Sequence, residues 1–413
     1  MGANMNREFS MNRRSLLKTG GAALALGMIG APTVLRAQAP TVKVGVLQPL
    51  TGNLAYNGTQ ARAGAKFAID AINAAGGIKS MGGAKLEAVV ADAQSRPDVA
   101  ASAVDTLAQA GVCAFIGAQA SSLGLASSQA AARYNLAQVF DIGTSEQIVE
   151  RGLKNVFRFT PGVNKCTATA LGNLKTLNDA SGNTVKTAAI VYEDGPFGSG
   201  MAKLLNTELP KIGIEVVESI SHPTPQRDFN NIVLRLRAAK PDIIIPSNYI
   251  NEYTLFAMAL RQQRMEVKAI YSILGGAASN IKFVRENNEA AQYVMDCNHW
   301  YDPRKEESKA LAAKVAEAKI DLTYDVMVAY ATIQLIGDAL ERAGKDDREA
   351  MIEALTTSTY DGSIMPYGPT KFVNGSNEGA QPVNTQIRGD KIELVFPKEF
   401  ATAEAVFPMP ARS

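Results

Sequence analysis

Val112-Cys113-Ala114-Phe115-Ile116-Gly117-Ala118-Gln119-Ala120-Ser121-Ser122 carries an apolar run into a glycine, small residues and a pair of hydroxyls. Five apolar residues ending this way predict a strand over 112–116, and the small, helix-compatible residues beyond predict a helix from about 122 to 134. The junction is an anion receptor in outline. Free N–H groups at a helix start, the positive end of its dipole and two adjacent hydroxyls can all point at one carboxylate or phosphate. Taken alone, Ser121 has a plainer role as the cap of its own helix.

The same unit recurs on both sides. Upstream, strand 41–47 alternates Val42, Val44 and Val46 with Lys43 and Gly45, then enters the turn-rich loop Pro49-Leu50-Thr51-Gly52-Asn53-Leu54-Ala55-Tyr56-Asn57-Gly58. A helix follows and stops at Gly76-Gly77, then strand 86–91 and a helix opened by Pro97. Downstream, strand 137–140 exits into Asp141-Ile142-Gly143-Thr144-Ser145, and strand 156–159 reaches Pro161-Gly162, where the chain leaves the first domain. The pattern then restarts with helix 164–178, strand 187–192, helix 197–210, strand 214–220, helix 228–239, strand 242–246, helix 251–263, strand 268–273 and helix 278–287. An apolar run at 292–297 exits into His299-Trp300-Tyr301, followed by helices 324–342 and 348–358 and a strand at 391–396. Two runs of alternating strand and helix predict an α/β protein of two doubly wound parallel-sheet lobes, with the ligand crevice beyond the carboxyl ends of the strands. The tail beyond 360 follows neither lobe's pattern.

Composition narrows the function. At 413 residues the chain exceeds one ordinary core, and 46% hydrophobic with 20% charged residues is the balance of a water-soluble protein. The N-terminus departs from this. Arg13-Arg14-Ser15-Leu16-Leu17-Lys18 precedes the apolar stretch 22–29, Pro32 and Ala37-Gln38-Ala39, which reads as an export signal over 1–39 of twin-arginine character. Its removal takes away five basic residues and one acidic residue and turns the net charge from +2 to −2. Nucleic-acid binding loses its electrostatic basis. Cys113, Cys166 and Cys297 are odd in number and widely spaced, so neither a disulfide framework nor a metal site is expected. No cofactor is expected either.

Catalysis has little to work with. His222 stands between prolines and His299 beside Trp300, with no nucleophile pattern attached. Gly195, Gly198 and Gly200 have neither dinucleotide nor P-loop spacing, and Glu193-Asp194 reads as a capping or solvated pair. The aromatics Tyr56, Phe197, Tyr249 and Trp300 all follow apolar strands and, divided between two lobes, suit a shared cleft over a small ligand.

The export signal, Val46-Leu47-Gln48-Pro49-Leu50-Thr51-Gly52 with Tyr56 and Gly58, Asn73-Ala74-Ala75-Gly76-Gly77-Ile78, Ile116-Gly117 with Ser121-Ser122, and Tyr324-Asp325 occur in that order. The ordered set resembles the type I periplasmic binding proteins, in the branch of the leucine/isoleucine/valine-binding proteins that hand ligands to ABC importers. The resemblance implies two lobes joined by three crossovers near Pro161, His299 and Met365, with lobe one at 41–161 plus 299–360 and lobe two at 162–298 plus 361–413. It implies a ligand carboxylate held by Ser121, Ser122, Thr144 and the backbone around Ala120, Ile142 and Gly143, covered by Tyr56 or Asn57 and by Phe197 and Tyr249 from lobe two. It also implies a monomer in the periplasm, without enzymatic activity, whose partners are a small-molecule ligand and a membrane permease. A sensor presenting the ligand to a membrane receptor is the alternative. One departure stands out. Amino-acid binders of the family place an acidic residue after the strand that here ends at Ile273, to pair with the ligand's ammonium group, and this chain has Leu274. A buried ammonium without a carboxylate is costly, so a carboxylate, amide or aromatic acid lacking the amine fits better, the alternative being an amino acid of the branched-chain class whose ammonium is met by Asp141, Glu193 or Asp194 from elsewhere.

Overall fold

Along β1 (Thr41–Gln48), Thr41 and Lys43 face out while Val42 is buried, and from Val44 to Gln48 the strand is buried without a break. The protein is described here by a computed structural model covering residues 40–411, so the export signal read in 1–39 lies outside the described residues. From β1 the chain winds through α1 (Ala55–Ala74), β2 (Lys85–Asp92), α2 (Pro97–Gln109), β3 (Ala114–Ile116), α3 (Ser121–Ala132), β4 (Ala137–Phe140), α4 (Gln147–Glu150) and β5 (Val156–Arg158). These strands are parallel in the order β2-β1-β3-β4-β5.

After Arg158 the plan repeats. The second lobe runs α5 (Val163–Ala180), β6 (Thr187–Glu193), α6 (Pro196–Glu208), β7 (Glu215–His222), α7 (Asn230–Ala239), β8 (Ile243–Ser247), α8 (Ile250–Gln262), β9 (Ala269–Ile273), α9 (Ile281–Glu286), α10 (Asn288–Ala291) and β10 (Met295–Asn298). Its parallel order is β7-β6-β8-β9-β10, the same winding as the first sheet. Central strands such as β8 and β9 are buried along their whole length, as helices on both faces require. Each sheet is covered on both faces by hydrophobic clusters, the first by one around Val44, Ile116 and Ile336 and one around Phe115 and Leu107. In the second sheet the corresponding clusters gather around Ile190 and Leu205, and around Ile244 and Phe256.

The chain then returns to the first lobe as α11 (Glu306–Glu317), α12 (Tyr324–Ala343) and α13 (Arg348–Thr356). Helix α12 lies along α1, and the two approach so closely at Gly64 that a Cβ there would sit 2.1 Å from the Val326 carbonyl oxygen. Helix α11 escapes sequence reading because it is rich in Glu and Lys and buries only Ser308, Leu311 and Val315.

The tail corrects the sequence-based division. It does not belong wholly to the second lobe: β11 (Phe372–Val373) and β12 (Ser376–Asn377) continue the first sheet beyond β5, while β13 (Val383–Arg388) and β14 (Lys391–Phe396) continue the second beyond β10. The third passage between lobes therefore lies between Asn377 and Val383 rather than near Met365. Strand β13 reads as polar (Asn384, Thr385, Gln386), yet these side chains are fully buried because both faces of the strand are covered. The pairs β10–β13 and β13–β14 are antiparallel, as is β11–β12, so each parallel sheet carries an antiparallel edge.

Candidate functional site

The strand exits of the two sheets face each other across a space of about 380 Å³ that is partly open to solvent. Lobe one supplies Gln119 and Ser121 from the exit of β3, Ile142 and Thr144 from the exit of β4, and Tyr324 from the start of α12. Lobe two supplies Phe197 at the start of α6, Asn248 and Tyr249 beyond β8, Leu274 and Gly276 beyond β9, and Asn298 at the end of β10 with His299 after it. Ligand crevices of doubly wound sheets form at such exits.

The wall of lobe one is set by backbone geometry. Gly117 has φ +128°, and a Cβ there would meet the Leu47 carbonyl oxygen at 2.0 Å, so only glycine lets the loop fold back against β1 before α3 begins. The residue capping α3 is Ala120, with no side-chain cap, and Ser121 occupies the first helical position. Ser121 thus does not cap its helix. Its Oγ accepts a hydrogen bond from the Ser145 N–H at 3.1 Å, joining the β3 and β4 exits and leaving its own proton available to donate. The Thr144 loop is fixed from behind by the buried Arg158, which donates to the Thr144 and Ser145 carbonyls at 3.2 Å and pairs with Glu146 at 2.7 Å. Hydroxyls and helix N–H groups held in this way are chemically suited to accept an anion.

Across from it, the Phe197 and Tyr249 rings lie 5.9 Å apart at 42° beside Leu274. The glycine-rich loop before α6 is occupied internally: Glu193 accepts from the N–H groups of Gly195 and Gly198, both at 2.6 Å, so a carboxylate of the chain itself sits where a phosphate would bind.

Among the described residues no Asp, Glu, Lys or Arg lines the space, yet the buried carboxyls of Asp325, Asp296 and Asp141 stand directly behind it. Asp325 accepts from Gln119 Nε2 at 3.0 Å and from Asn57 Nδ2 at 3.0 and 3.2 Å. Asp296 accepts from the Gly275 N–H at 3.1 Å, Ser279 Oγ at 2.7 Å and Asn298 Nδ2 at 2.9 Å. Asp141 accepts from Gln48 Nε2 and from the Ile142 N–H. Burial raises Asp325 and Asp296 to about 7 and Asp141 to about 6. Burial also lowers His299 to about 3, with nearby Arg158 pushing the same way, so its imidazole is neutral at physiological pH.

Of the residues named from sequence, Ser121, Thr144, Ile142, Phe197, Tyr249 and Leu274 border the space. Ala120 and Gly143 are buried in the loop backbone behind it, and Ser122 is half-buried on α3. Asn57 faces Asp325. Tyr56 lies at the seam of the lobes: its hydroxyl donates to Asp321 at 2.9 Å and lies 3.3 Å from Asn280 Oδ1, while Asp321 receives Arg285 at 2.9 Å. Trp300 packs instead into the first-lobe core against Tyr301. Gln119, Asn248, Asn298, His299 and Tyr324 do not stand out as ligand contacts in the sequence. Four of them sit at strand exits, a position that is itself a usable signal.

Comparison with known proteins places this geometry in a family. A sequence model of the family described as periplasmic binding protein matches residues 41–386. The Leu/Ile/Val-binding protein BraC3 of Rhizobium johnstonii is 29% identical over 362 residues, 87% of this chain and 93% of that protein. Among solved structures, the branched-chain amino acid transporter substrate-binding protein LivJ of Streptococcus pneumoniae, in complex with isoleucine, superposes with a TM-score of 0.74 at 22% identity, covering 89% of this chain and all of that one. A fatty acid ABC transporter substrate-binding protein from Thermomonospora curvata gives 0.74 at 19% identity, covering 90% of this chain and 94% of its own. With its matched segment spanning both lobes, this chain belongs to the periplasmic binding protein family and has the type I fold of the leucine/isoleucine/valine-binding proteins.

Proposed function

We propose that the protein is the extracytoplasmic solute-binding component of an ABC importer, taking a small carboxylate that lacks an α-ammonium group. One observation carries the reading: the cleft offers hydroxyls and a helix start to an anion, yet lines the facing wall with Leu274 and no carboxylate. The nearby acids do not substitute for one. Asp141 and Glu193 are engaged within the chain, and Asp194 is exposed. Relatives in this fold include a protein solved with isoleucine and one named for fatty acids, so the fold is compatible with carboxylates of both kinds.

In this mechanism the ligand docks on lobe one through Ser121 and Thr144, with Ser122 and the Ala120–Gly143 backbone beside them. Lobe two then closes, bringing Phe197, Tyr249 and Leu274 over it. Closure is a population shift favoured by contacts that the ligand makes with both lobes. The closed form docks on a membrane permease after export of the mature monomer by the twin-arginine route. Titration calorimetry with leucine and 4-methylpentanoate, the same skeleton without the amine, tests the ligand class. The acid is expected to bind at least ten-fold tighter, and tighter binding of leucine overturns the reading.

A further inference from the structure

Buried polar atoms in folded proteins nearly always have partners. In this cleft four do not: Gln119 Oε1, Asn248 Oδ1, and both ring nitrogens of His299. The three side chains are 5%, 0% and 1% exposed, and all three border the space between the lobes.

Their orientations follow from the groups behind them. Gln119 Nε2 donates to the Asp325 carboxylate, which turns the amide oxygen away from that bond. Asn248 is held by His222 through a contact between Asn248 Nδ2 and His222 Nε2. The other His222 nitrogen, Nδ1, faces the Pro223 carbonyl at 2.8 Å, and a carbonyl only accepts. Nδ1 therefore carries the proton, and burial keeps His222 neutral. Nε2 is left as the acceptor, Asn248 Nδ2 donates to it, and Asn248 Oδ1 is the free end. The cleft thus presents two carbonyl-type acceptors and a neutral imidazole, which brings one donor and one acceptor.

We infer that Gln119, Asn248 and His299 form a second polar subsite that recognises an uncharged hydrogen-bond donor on the ligand, a hydroxyl or a primary amide, in addition to its carboxylate. The inference rests on the carboxylate reading above and narrows it from plain acids to hydroxy or carboxamide acids. A primary amide donates one N–H to each amide oxygen and accepts from the imidazole N–H, while a hydroxyl donates to one of the two oxygens and accepts from the imidazole N–H, so buried atoms gain partners without a charge entering a wall that has no counter-ion. A ligand with only an alkyl tail leaves these atoms unpaired, and such unpaired polar atoms discriminate strongly.

The test uses the mature protein and a five-carbon series: pentanoate, 2- and 4-hydroxypentanoate, 4-carbamoylbutanoate and norvaline, measured by titration calorimetry. At least one hydroxy or carboxamide acid is expected to bind ten-fold or more tighter than pentanoate. His299→Phe and Asn248→Leu are each expected to erase that preference, so that the favoured hydroxy or carboxamide acid binds either variant no tighter than pentanoate does, whereas Ser121→Ala weakens every member. Equal binding of pentanoate and its derivatives to the unmodified protein, or a preference that survives His299→Phe and Asn248→Leu, overturns the second subsite and leaves the carboxylate reading standing. Tightest binding by norvaline overturns both. So does a series in which no carboxylate binds.

Discussion

The two sheets share one winding, β2-β1-β3-β4-β5 against β7-β6-β8-β9-β10, and yet weight their hydrogen bonding at the cleft differently, with one of the four unpartnered polar atoms, Gln119 Oε1, on lobe one and the other three on lobe two. In lobe one the exits are tied to each other: Ser121 Oγ bridges to Ser145 N–H, and Arg158 binds the Thr144 and Ser145 carbonyls. In lobe two, Asn248 and His299 reach the cleft with polar atoms unsatisfied, beside the apolar Phe197, Tyr249 and Leu274. The contrast teaches that an α/β exit can be preorganised in two ways. It can hold donors rigidly for a charge, or it can hold buried acceptors that are satisfied only when a partner arrives.

The strongest way to break the contrast is to give lobe two a charge. Leu274 is 7% exposed, and Leu274→Glu places an unpaired carboxyl in the closed wall. A stability loss of about 3–5 kcal/mol is expected in urea melts, by analogy with uncompensated buried charges. Leucine should then restore more thermal stability than 4-methylpentanoate does, reversing the order expected for the unmodified protein. The reverse operation on lobe one is Ser121→Ala with Thr144→Ala. Carboxylate binding should weaken by about 2–4 kcal/mol, the scale of two charge-assisted hydrogen bonds, while unfolding in the absence of ligand moves far less. Unchanged affinity in calorimetry would show that the anion sits elsewhere.

The carboxyls behind the wall supply a pH test. The Asp325 pKa is raised by burial from 3.8 to about 7 in the folded protein. Between those values the folded state binds more protons than the unfolded state, so this group's contribution is fully present below about pH 4 and is lost as pH rises through 7. Asp325→Asn removes that dependence. Relative to the unmodified protein it should be least stable near pH 4 and recover by a few kcal/mol toward pH 8, since each tenfold difference in proton affinity between the two states is worth about 1.4 kcal/mol. Parallel stability–pH curves for the two proteins would contradict this. The smallest effect belongs to the seam. Arg285 and Asp321 pair across the lobes at 2.9 Å with Arg285 more than half exposed, so Arg285→Ala should cost under about 1 kcal/mol. Its signature is a slightly larger radius of gyration in solution scattering, as the open form gains population.

How far sequence reading reaches follows the same division. Strands such as β1 and β8 are legible because alternation or unbroken apolar runs report burial directly, and the loops holding Ser121 and Thr144 follow from where the apolar runs of β3 and β4 stop. Helix α11 escapes because its charged face outweighs three buried positions, and β13 because a polar strand covered on both faces has no hydrophobic pattern. The third passage is misplaced for a related reason: β11 and β12 are two residues each, too short for any period to show. Among the cleft residues, the aromatics Phe197 and Tyr249 and the hydroxyls of Ser121 and Thr144 stand out by type. Asn248 and His299 do not, since what distinguishes them is an absence of partners that only three-dimensional packing reveals. Tyr56 points to the ligand by its loop, whereas its hydroxyl is engaged by Asp321 at the seam.

The tail's divided membership has a mechanical consequence. Because β12 is hydrogen-bonded into one sheet and β13 into the other, the link between them is only Glu378-Gly379-Ala380-Gln381-Pro382, clamped at both ends. In the proposed closure, rotation of the lobes would be taken up along this passage by the torsions of five residues, as by a short torsion bar rather than a slack tether. A pair of fluorophores on β11 and β14 would read lobe opening as angular travel across that bar, without touching either wall of the cleft.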